Sequence, residues 1–529
     1  MAPVYNHPAM EKALWEQRRW LITAVILLFW GLALTSMAND SITMDEQNHI
    51  GRGVGFVNSG DPRLSLEHPP LANSLSALPL LLVPDLNIPF DHTSWDKQPP
   101  DIYWYIFADQ LLWQRGNDVE TAVFLARIPI ILLTLGLALV GYRFGLALWK
   151  RPSALLIIPL LLFDPNLMAH GRYVTTDMGG TVFIFLATFL LWRLWQQAVW
   201  SWHHWAWAVL GMGLAFSSKL SALVFVPIWL GMAIWPLSGR RSLQKLFWFL
   251  TAGLASIAVV WVVFGFEWGL FFFKTPILQS LNSVQGPMPT FWAGVEQITL
   301  ISTEGRMAYL NGRFQQGGFN NYFPITFAIK TPIVLLIAFA LAAFLLIRQD
   351  DTRGRATFVL IPILAYFVIS MQSGLNIGYR HLLPILPFIY LLIIGDWRWG
   401  IREQGIENKA WGSEIGLPFT VLVAVCILAI NLWIYPNYLS YFNQLIGGPE
   451  NGAQWLLDSN VDWGQDLIRL REWMTDNEVE SVRLGWFGTA DPAYYGVPNQ
   501  PLPGFPRAEY LSQWTVPPFN VVAPEPGIY

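Results

Sequence analysis

Long apolar runs separated by short polar stretches fill most of the chain. Eight of them approach the roughly 20 residues that an α-helix needs to cross a bilayer, and they lie at about 20–38, 121–142, 176–195, 245–266, 325–347, 355–372, 381–396 and 416–434. Three weaker runs lie near 151–163, 204–217 and 219–236. The pattern predicts a polytopic α-helical membrane protein with about eleven transmembrane helices.

Two apolar segments need a separate interpretation. The stretch from Leu71 to Val83 is short and is interrupted by Pro79, so we expect an interfacial or re-entrant helix there. The first run ends in Ser36 and Ala38, which would suit a signal peptidase. Its apolar core is long for a signal peptide, however, and favours an uncleaved anchor.

Basic residues mark every second short loop between the predicted helices. They are Arg18, Arg19, Arg143, Lys150, Arg151, Arg193, Arg240, Arg241, Lys245, Arg348, Arg353, Arg355, Arg398, Arg402 and Lys409. Because Lys and Arg collect in cytoplasmic loops, we expect the N-terminal segment in the cytoplasm. An odd number of spans then places the C-terminal segment on the external face of the cell membrane.

This topology divides the chain into three parts. We expect a cytoplasmic N-terminus over 1–19, a transmembrane domain over 20–434 and an external C-terminal domain over 435–529. Within the transmembrane domain, a first external loop over 39–120 and a long external loop over 267–324 hold most of the polar groups. Two shorter polar segments near 164–177 and 372–381 face the same side.

Composition supports a membrane protein and excludes several other classes. Hydrophobic residues make up 54% of the chain and charged residues 13%, against about 25% charged in an average soluble domain. The net charge of -4 is too small to indicate a nucleic-acid partner. The single cysteine, Cys426, excludes an intrachain disulfide, and neither zinc-ligand spacing nor a glycine-rich nucleotide loop is present.

Carboxylates and histidines cluster just after the first predicted span. Asp45 and Glu46 directly follow it, and His49, Glu67 and His68 come next along the chain. Ionisable groups at membrane depth are rare and by default indicate a functional site. For one Asp-Glu pair taken alone, a solvated loop after a helix is the alternative.

Cations accompany these carboxylates in the predicted external segments. The candidates are Arg127, Arg172, Lys219 and Arg380. Such side chains bind phosphate oxygens through charge-assisted hydrogen bonds, and a neighbouring carboxylate can take a proton from an incoming hydroxyl or amine. The arrangement predicts a site for a lipid phosphate at the outer surface, with interfacial snorkelling as the alternative for each arginine.

Several short motifs resemble one group of membrane enzymes. Asp45-Glu46, His49, Gly51 and His68-Pro69-Pro70-Leu71 resemble the first external loop of protein O-mannosyltransferases, and Arg127 fits the same pattern. Gly171-Arg172 with Asp177, then Lys219 and Tyr379-Arg380-His381, resemble the wider GT-C group, which includes the lipid A aminoarabinose transferases. The long external loop is too short for the β-trefoil domain of eukaryotic members, so the chain most resembles prokaryotic relatives.

The resemblance implies a GT-C-like fold and a glycosyltransferase that uses a polyprenyl-phosphate sugar as donor. It makes Asp45 the expected catalytic base, assisted by Glu46, and places the Arg127 position near the carrier phosphate. The residues it implies for substrate binding are His49, Glu67, His68, Arg127, Arg172, Asp177, Lys219, Tyr379 and Arg380.

The C-terminal segment reads as a small external α/β unit. Apolar residues recur at helical spacing from Leu467 to Met474, and either Asp462 or Asp466 is placed to cap this helix. The stretch 481–487 predicts a strand, followed by a Pro-rich loop to the end. A single strand is not a stable unit, so we expect this domain to be incomplete. It either shapes the acceptor site or caps the outer face.

The sequence therefore predicts a membrane glycosyltransferase, transferring a hexosyl or pentosyl group to a protein, lipid or glycan acceptor on the external face by an inverting mechanism. The main alternative is a polytopic transporter or lipid flippase. A polymerase or ligase of lipid-linked glycans is a second rival. The carboxylates lie at the outer ends of spans and no internal repeat is evident, which favours the transferase. No cofactor beyond the donor is predicted. Asp458, Asp462 and Asp466 leave a divalent cation open, although a solvated helix start is favoured.

Overall fold

The computed structural model describes residues 9–97, 104–235, 240–395 and 416–501. Three of the basic residues used for orientation, Arg398, Arg402 and Lys409, and most of the predicted C-terminal loop lie outside these residues. The described chain is mostly helical, as the apolar runs predict.

Twenty α-helices occur among the described residues. In chain order they are α1 (Ala9–Ala38), α2 (Met44–Ser59), α3 (Pro70–Ala77), α4 (Thr93–Asp96), α5 (Trp104–Asp109), α6 (Val119–Trp149), α7 (Ile157–Leu162), α8 (Pro165–His170), α9 (Thr176–Trp195), α10 (Trp202–Ser218), α11 (Phe225–Ile234), α12 (Arg240–Val263), α13 (Pro289–Glu304), α14 (Tyr322–Lys330), α15 (Ile333–Arg348), α16 (Asp350–Ser370), α17 (Leu386–Ile393), α18 (Gly416–Ile434), α19 (Gly452–Trp455) and α20 (Leu467–Asp476). Turns of 3₁₀-helix over 152–156, 220–224 and 379–385 lead into α7, α11 and α17.

Each of the eleven predicted runs contains a helix, but the helices differ in length. Among the described residues, six are long and apolar enough to cross a membrane: α1, α6, α9, α12, α16 and α18. The run predicted at 325–347 is split into α14 and α15, whose axes are bent by 110°. Thr331 is extended at the break because the ring of Pro332 disfavours a helical conformation at the preceding residue.

The apolar stretch from Leu71 to Val83 forms a short helix, as expected. It consists of α3 and a 3₁₀ segment over 78–82. The polar helix α2 packs closely on it, since a Cβ added at Gly53 would lie 2.2 Å from the carbonyl oxygen of Asn73. Only glycine permits this approach, which holds α2 against α3.

The long loop over 267–324 contains two antiparallel hairpins on either side of α13. Strands β1 (Trp268–Leu270) and β2 (Gln285–Pro287) pair with Trp268 opposite Pro287. Strands β3 (Met307–Leu310) and β4 (Arg313–Gln316) are joined by Asn311 and Gly312, both with positive φ. An Asn-Gly pair of this kind forms the two-residue turn that matches the twist of a hairpin.

The C-terminal segment differs from its prediction in two details. Helix α20 and strand β5 (Val482–Leu484) lie where they are expected, but β5 pairs in parallel with β6 (Asn499–Pro501), in a stretch predicted as loop. Asp466 occupies the N-cap position of α20 without capping it, because its carboxylate accepts hydrogen bonds from Arg469 and Gln465.

Candidate active site

Helix α2 presents its polar face to a cavity. The first turn carries Asp45 and Glu46, which suit the positive end of the helix dipole. Residues four and seven positions further on share one helix face, so Asp45, His49 and Arg52 all line the cavity. Glu46 points away from it.

The cavity has a volume of about 530 Å³. It is lined by charged and polar side chains, called the polar wall below, and by aliphatic side chains, called the apolar wall. Its polar wall includes seven of the predicted residues, namely Asp45, His49, Glu67, His68, Asp177, Lys219 and Arg380. Its apolar wall comes from α13, from the 3₁₀ turn before α11 and from the end of α16, and includes Leu223, Val224, Val295, Ile298, Ile301 and Ile369. A cavity with this division suits an amphipathic ligand that has a charged group on a hydrocarbon chain.

Asp45 is held by an ion pair with Arg380. Nη1 of Arg380 donates to Oδ2 of Asp45 at 2.6 Å. Burial acts to raise the pKa of Asp45, but the positive charge of Arg380, with a smaller contribution from His49, outweighs it and leaves the pKa below its ordinary value. The carboxylate is therefore ionised at neutral pH.

A second ion pair lies beside the first. Lys219 donates to Oδ1 of Asp177, and Nη1 of Arg380 is 3.8 Å from the other oxygen of the same carboxylate. Lys219 follows α10 directly, while Asp177 lies in the first turn of α9. Cations and carboxylates thus alternate along the polar wall, from Lys219 through Asp177 and Arg380 to Asp45.

Two of the three histidines that line the cavity, His49 and His68, contact each other and are neutral. Their rings meet edge to face with centroids 4.7 Å apart. Burial, reinforced by the charge of Arg52, lowers the pKa of His49 to about 4, and burial lowers the pKa of His68 well below its ordinary value. His49 bonds to Asn73 and His68 to Thr176, each through Nδ1. The Nε2 atom of each ring is not used in these two bonds.

Glu46 and Arg127 form a buried ion pair that does not line the cavity. Nε and Nη2 of Arg127 donate to the two carboxylate oxygens at 2.8 and 2.7 Å. Its remaining N–H groups reach the backbone carbonyls of Met37, Asp40 and Ser41. All five donors of this guanidinium are used, so Arg127 has no N–H free for a carrier phosphate.

Arg172 and Tyr379 also lie outside the cavity. Arg172 is paired with the buried carboxylate of Asp40 and donates to the hydroxyl of Tyr173. The hydroxyl of Tyr379 bonds to that of Thr331 at 2.9 Å. The structure therefore separates the predicted residues into seven that line the cavity and four that do not, namely Glu46, Arg127, Arg172 and Tyr379.

Some residues of the site were missed by sequence reasoning. Arg52, Tyr105 and Arg306 also line the cavity. The signal for Arg52 was its spacing of seven residues from Asp45 on a polar helix, which predicts a shared face. Tyr105 and Arg306 carry no comparable local signal, because they reach the cavity through tertiary contacts.

Trp463 of the C-terminal segment lies beneath the ion pair. Its ring is fully buried, and the guanidinium of Arg380 lies 4.4 Å from the ring centroid. Its backbone carbonyl accepts a hydrogen bond from the N–H of Met44, next to Asp45. This one residue therefore contacts the chain on both sides of the Asp45–Arg380 pair.

Within the described ranges, no group of three or more His, Cys, Asp or Glu side chains is arranged to hold a metal ion. Asp462 instead accepts a hydrogen bond from the N–H of Gly464, and Asp458 from that of Ser459. These two carboxylates bind the local backbone rather than facing one another.

Residues 97–265 match the model of the family described as dolichyl-phosphate-mannose-protein mannosyltransferase. The predicted resemblance is confirmed. The matched segment contains the positions of Asp177 and Lys219, whereas Asp45 and Arg380 lie outside it. The chain is thus similar, over this segment, to a family of membrane glycosyltransferases.

Two solved structures match this chain at low sequence identity. ArnT from Cupriavidus metallidurans bound to undecaprenyl phosphate is 15% identical, with a TM-score of 0.45, over 78% of this chain and 71% of that one. The oligosaccharyltransferase of Archaeoglobus fulgidus in its apo form is 12% identical, with a TM-score of 0.45, over 88% of this chain and 59% of that one. A comparison with curated protein sequences gave no match.

Proposed function

We propose that this protein is a membrane glycosyltransferase that moves a sugar from a polyprenyl-phosphate carrier to an acceptor on the external face. The observation that carries the proposal is the mixed lining of the cavity, in which an ionised Asp45 and the cations Lys219 and Arg380 occur together with aliphatic side chains. The carrier combines a phosphate with a hydrocarbon chain and matches both walls. The family match over 97–265 supports the same class of reaction.

Asp45 acts as the base in the proposed reaction. It removes a proton from the acceptor hydroxyl or amine, whose oxygen or nitrogen attacks the anomeric carbon of the sugar. The new bond forms opposite the phosphate, the bond from the anomeric carbon to the phosphate oxygen breaks, and the configuration is inverted. The proton ends on Asp45 and the electron pair on the leaving polyprenyl phosphate. A positioned base of this kind contributes roughly 10²–10⁴-fold to the rate.

Lys219 and Arg380 stabilise the charge that develops on the leaving phosphate. The phosphodiester of the donor carries one negative charge, and the departing monoester gains a second. Preorganised cations placed where charge develops act strongly in a site that excludes water. Their carboxylate partners, Asp177 and Asp45, hold them in place before the donor binds.

Neutral His49 and His68, with Glu67, are suited to bind the sugar. A neutral imidazole offers one donor and one acceptor, and His49 and His68 each use one ring nitrogen on Asn73 or Thr176. The other nitrogen is available for a sugar hydroxyl. Glu46 contributes indirectly, because its bonds to Arg127 and to the N–H groups of Thr43 and Val174 fix the start of α2.

The proposal places the cavity outside the cytoplasm. The basic loops predict the orientation, and α1 then brings α2 to the external side. The transferred group is a hexosyl or pentosyl unit, and the acceptor is a protein, a lipid or a glycan in the same compartment.

The test uses the purified protein in nanodiscs with a panel of radiolabelled polyprenyl-phosphate sugars and a membrane extract as the source of acceptor. Release of polyprenyl phosphate from one donor, with label appearing on an acceptor, would establish the class and identify the sugar. The flippase alternative predicts movement of intact donor across a proteoliposome membrane without cleavage. That outcome, with no release from any donor, would overturn the proposal.

A further inference from the structure

Arg52 is a buried cation that the proposed mechanism does not use. It lies seven residues after Asp45 on the face of α2 that lines the cavity, and only 3% of its surface is exposed. Its guanidinium stacks on the ring of Trp104, 4.8 Å from the centroid. Tyr105 lines the same part of the cavity.

The guanidinium of Arg52 donates no hydrogen bond to any of the described residues, and its Nε–H is buried without a partner. Nη2 forms an ion pair with Glu67, but at 3.8 Å from Oε2 the contact is too long for a hydrogen bond. A buried cation without hydrogen bonds is costly and uncommon unless a ligand completes its environment.

Two other buried arginines, Arg127 and Arg380, do donate hydrogen bonds, unlike Arg52. Arg127 uses all five of its donors on Glu46 and three backbone carbonyls. Arg380 is bound to Asp45 inside the cavity. An anion that enters the cavity must therefore compete with a bound carboxylate at Arg380 and at Lys219. At Arg52, none of the described residues accepts a hydrogen bond that the anion would have to displace.

We propose that Arg52 is the primary anchor for the phosphate of the lipid carrier. A guanidinium presents paired N–H groups that match two phosphate oxygens, and the stacking on Trp104 fixes the plane of that fork. Tyr105 also lines this cavity. The assignment of the phosphate to a polyprenyl carrier rests on the proposed function, whereas the anion site itself rests on Arg52 alone.

The test measures binding rather than transfer. Purified protein in detergent is titrated with farnesyl phosphate, with farnesol and with inorganic phosphate, and the change in melting temperature and the Kd are recorded. The variants are Arg52→Gln and Arg52→Lys. Arg63→Gln is a matched control, because Arg63 stacks on Trp95 at 4.6 Å but binds Asp61 and lies outside the cavity.

We expect Arg52→Gln to weaken farnesyl phosphate binding by at least about tenfold, the loss expected for a charge-assisted hydrogen bond, and Arg52→Lys to weaken it less. Binding of farnesol and the behaviour of Arg63→Gln should not change.

Unchanged farnesyl phosphate binding by Arg52→Gln would overturn the inference, as would an equal loss of farnesol binding. Inorganic phosphate binding as tightly as farnesyl phosphate would show a site for free phosphate and overturn the lipid assignment. Binding that depends on Arg52 without any sugar transfer would contradict the proposed function and leave the anion site standing. Sugar transfer that persists undiminished in Arg52→Gln would contradict the role of Arg52 as the phosphate anchor and leave the proposed function standing.

Discussion

Arg380 and Asp45 form a 2.6 Å hydrogen bond across 335 residues of sequence. It joins the first polar helix after α1 to the 3₁₀ turn that leads into α17. The bond fixes one carboxylate oxygen of Asp45 and leaves the other for an acceptor. It also makes the pKa of Asp45, the proposed base, depend on Arg380, the cation proposed to face the leaving phosphate.

The pH dependence of transfer should report this bond. Burial raises the pKa of Asp45 and Arg380 is the largest opposing influence, so the pKa lies below its ordinary value in the folded protein. A base must be deprotonated, and kcat/KM for the wild type should therefore fall only below about pH 4. In Arg380→Gln the acid limb should move to higher pH, in addition to any loss of rate. An acid limb at the same pH in both proteins would contradict the assignment of Asp45.

The same shift sets the sign of the contribution of Asp45 to stability. A carboxyl whose pKa is lower in the folded state stabilises the fold above its unfolded value near 3.9 and loses that effect as the pH falls through the folded value. Asp45→Asn should therefore lower the melting temperature at pH 7 relative to the wild type, and this difference should shrink as the pH falls below 4. The measurement is a pair of thermal melts across that range.

Breaking the Glu46–Arg127 pair should damage the fold more than removing an exposed pair. Glu46→Gln leaves the Arg127 guanidinium buried without a counter-charge, which costs roughly 3–5 kcal/mol. The control is Asp61→Asn, which breaks a partly exposed pair with Arg63 worth about 0–1 kcal/mol. Melting temperatures in detergent should fall clearly for the first variant and little for the second. Equal shifts would argue that Glu46 and Arg127 are not a structural pair.

Trp463 should position Arg380 through its ring. A cation–π contact that is shielded from water contributes about 2 kcal/mol, so loss of the ring should reduce transfer by at least about tenfold. Trp463→Leu should lower kcat more than it raises KM. Trp463→Phe should retain much of the rate, because it still presents an aromatic ring to the guanidinium that lies 4.4 Å from the Trp463 centroid in the wild type. If Phe and Leu are equally impaired, the ring fills space and does not orient Arg380.

Gly180 leaves room for the stem of Lys219. A Cβ added there would lie 3.1 Å from Cβ and 3.2 Å from Cδ of Lys219, so Gly180→Ala should displace the ammonium and reduce transfer several-fold. Gly136→Ala is the matched control, since that glycine is also within a long helix and a Cβ there meets nothing within 4 Å. The control should keep full activity, with stability equal or up to about 1 kcal/mol higher. Equal activity of the two variants would show that the placement of Lys219 is unimportant.

The apolar runs predict most of the helical architecture, because crossing or lining a membrane requires long stretches of apolar residues. They do not predict where a run is interrupted. Pro332 is compatible with a break within 325–347, but it does not predict the 110° bend between α14 and α15. The pairing of β5 with β6 was missed for a related reason, since β6 is short and ends in a proline.

For the site, residue types could be predicted better than their partners. Asp45, His49, Lys219 and Arg380 line the cavity as expected. Arg127 was expected at the carrier phosphate, but Glu46, 81 residues away, occupies it together with three carbonyls. The sequence shows that a cation is present near the site. Only the three-dimensional contacts show whether its N–H donors are already bound to other protein groups. Arg52 was missed for the same reason.

The most direct test of Asp45 as the base is to measure single-turnover release of polyprenyl phosphate by the wild type, by Asp45→Asn and by Asp61→Asn. The protein is in excess over the active donor, and the acceptor is present. Asp45→Asn should retain donor binding but lose roughly 10²–10⁴-fold in the rate of release, while Asp61→Asn, outside the cavity, should match the wild type. A folded Asp45→Asn protein that transfers sugar at a near-normal rate would show that Asp45 is not the base.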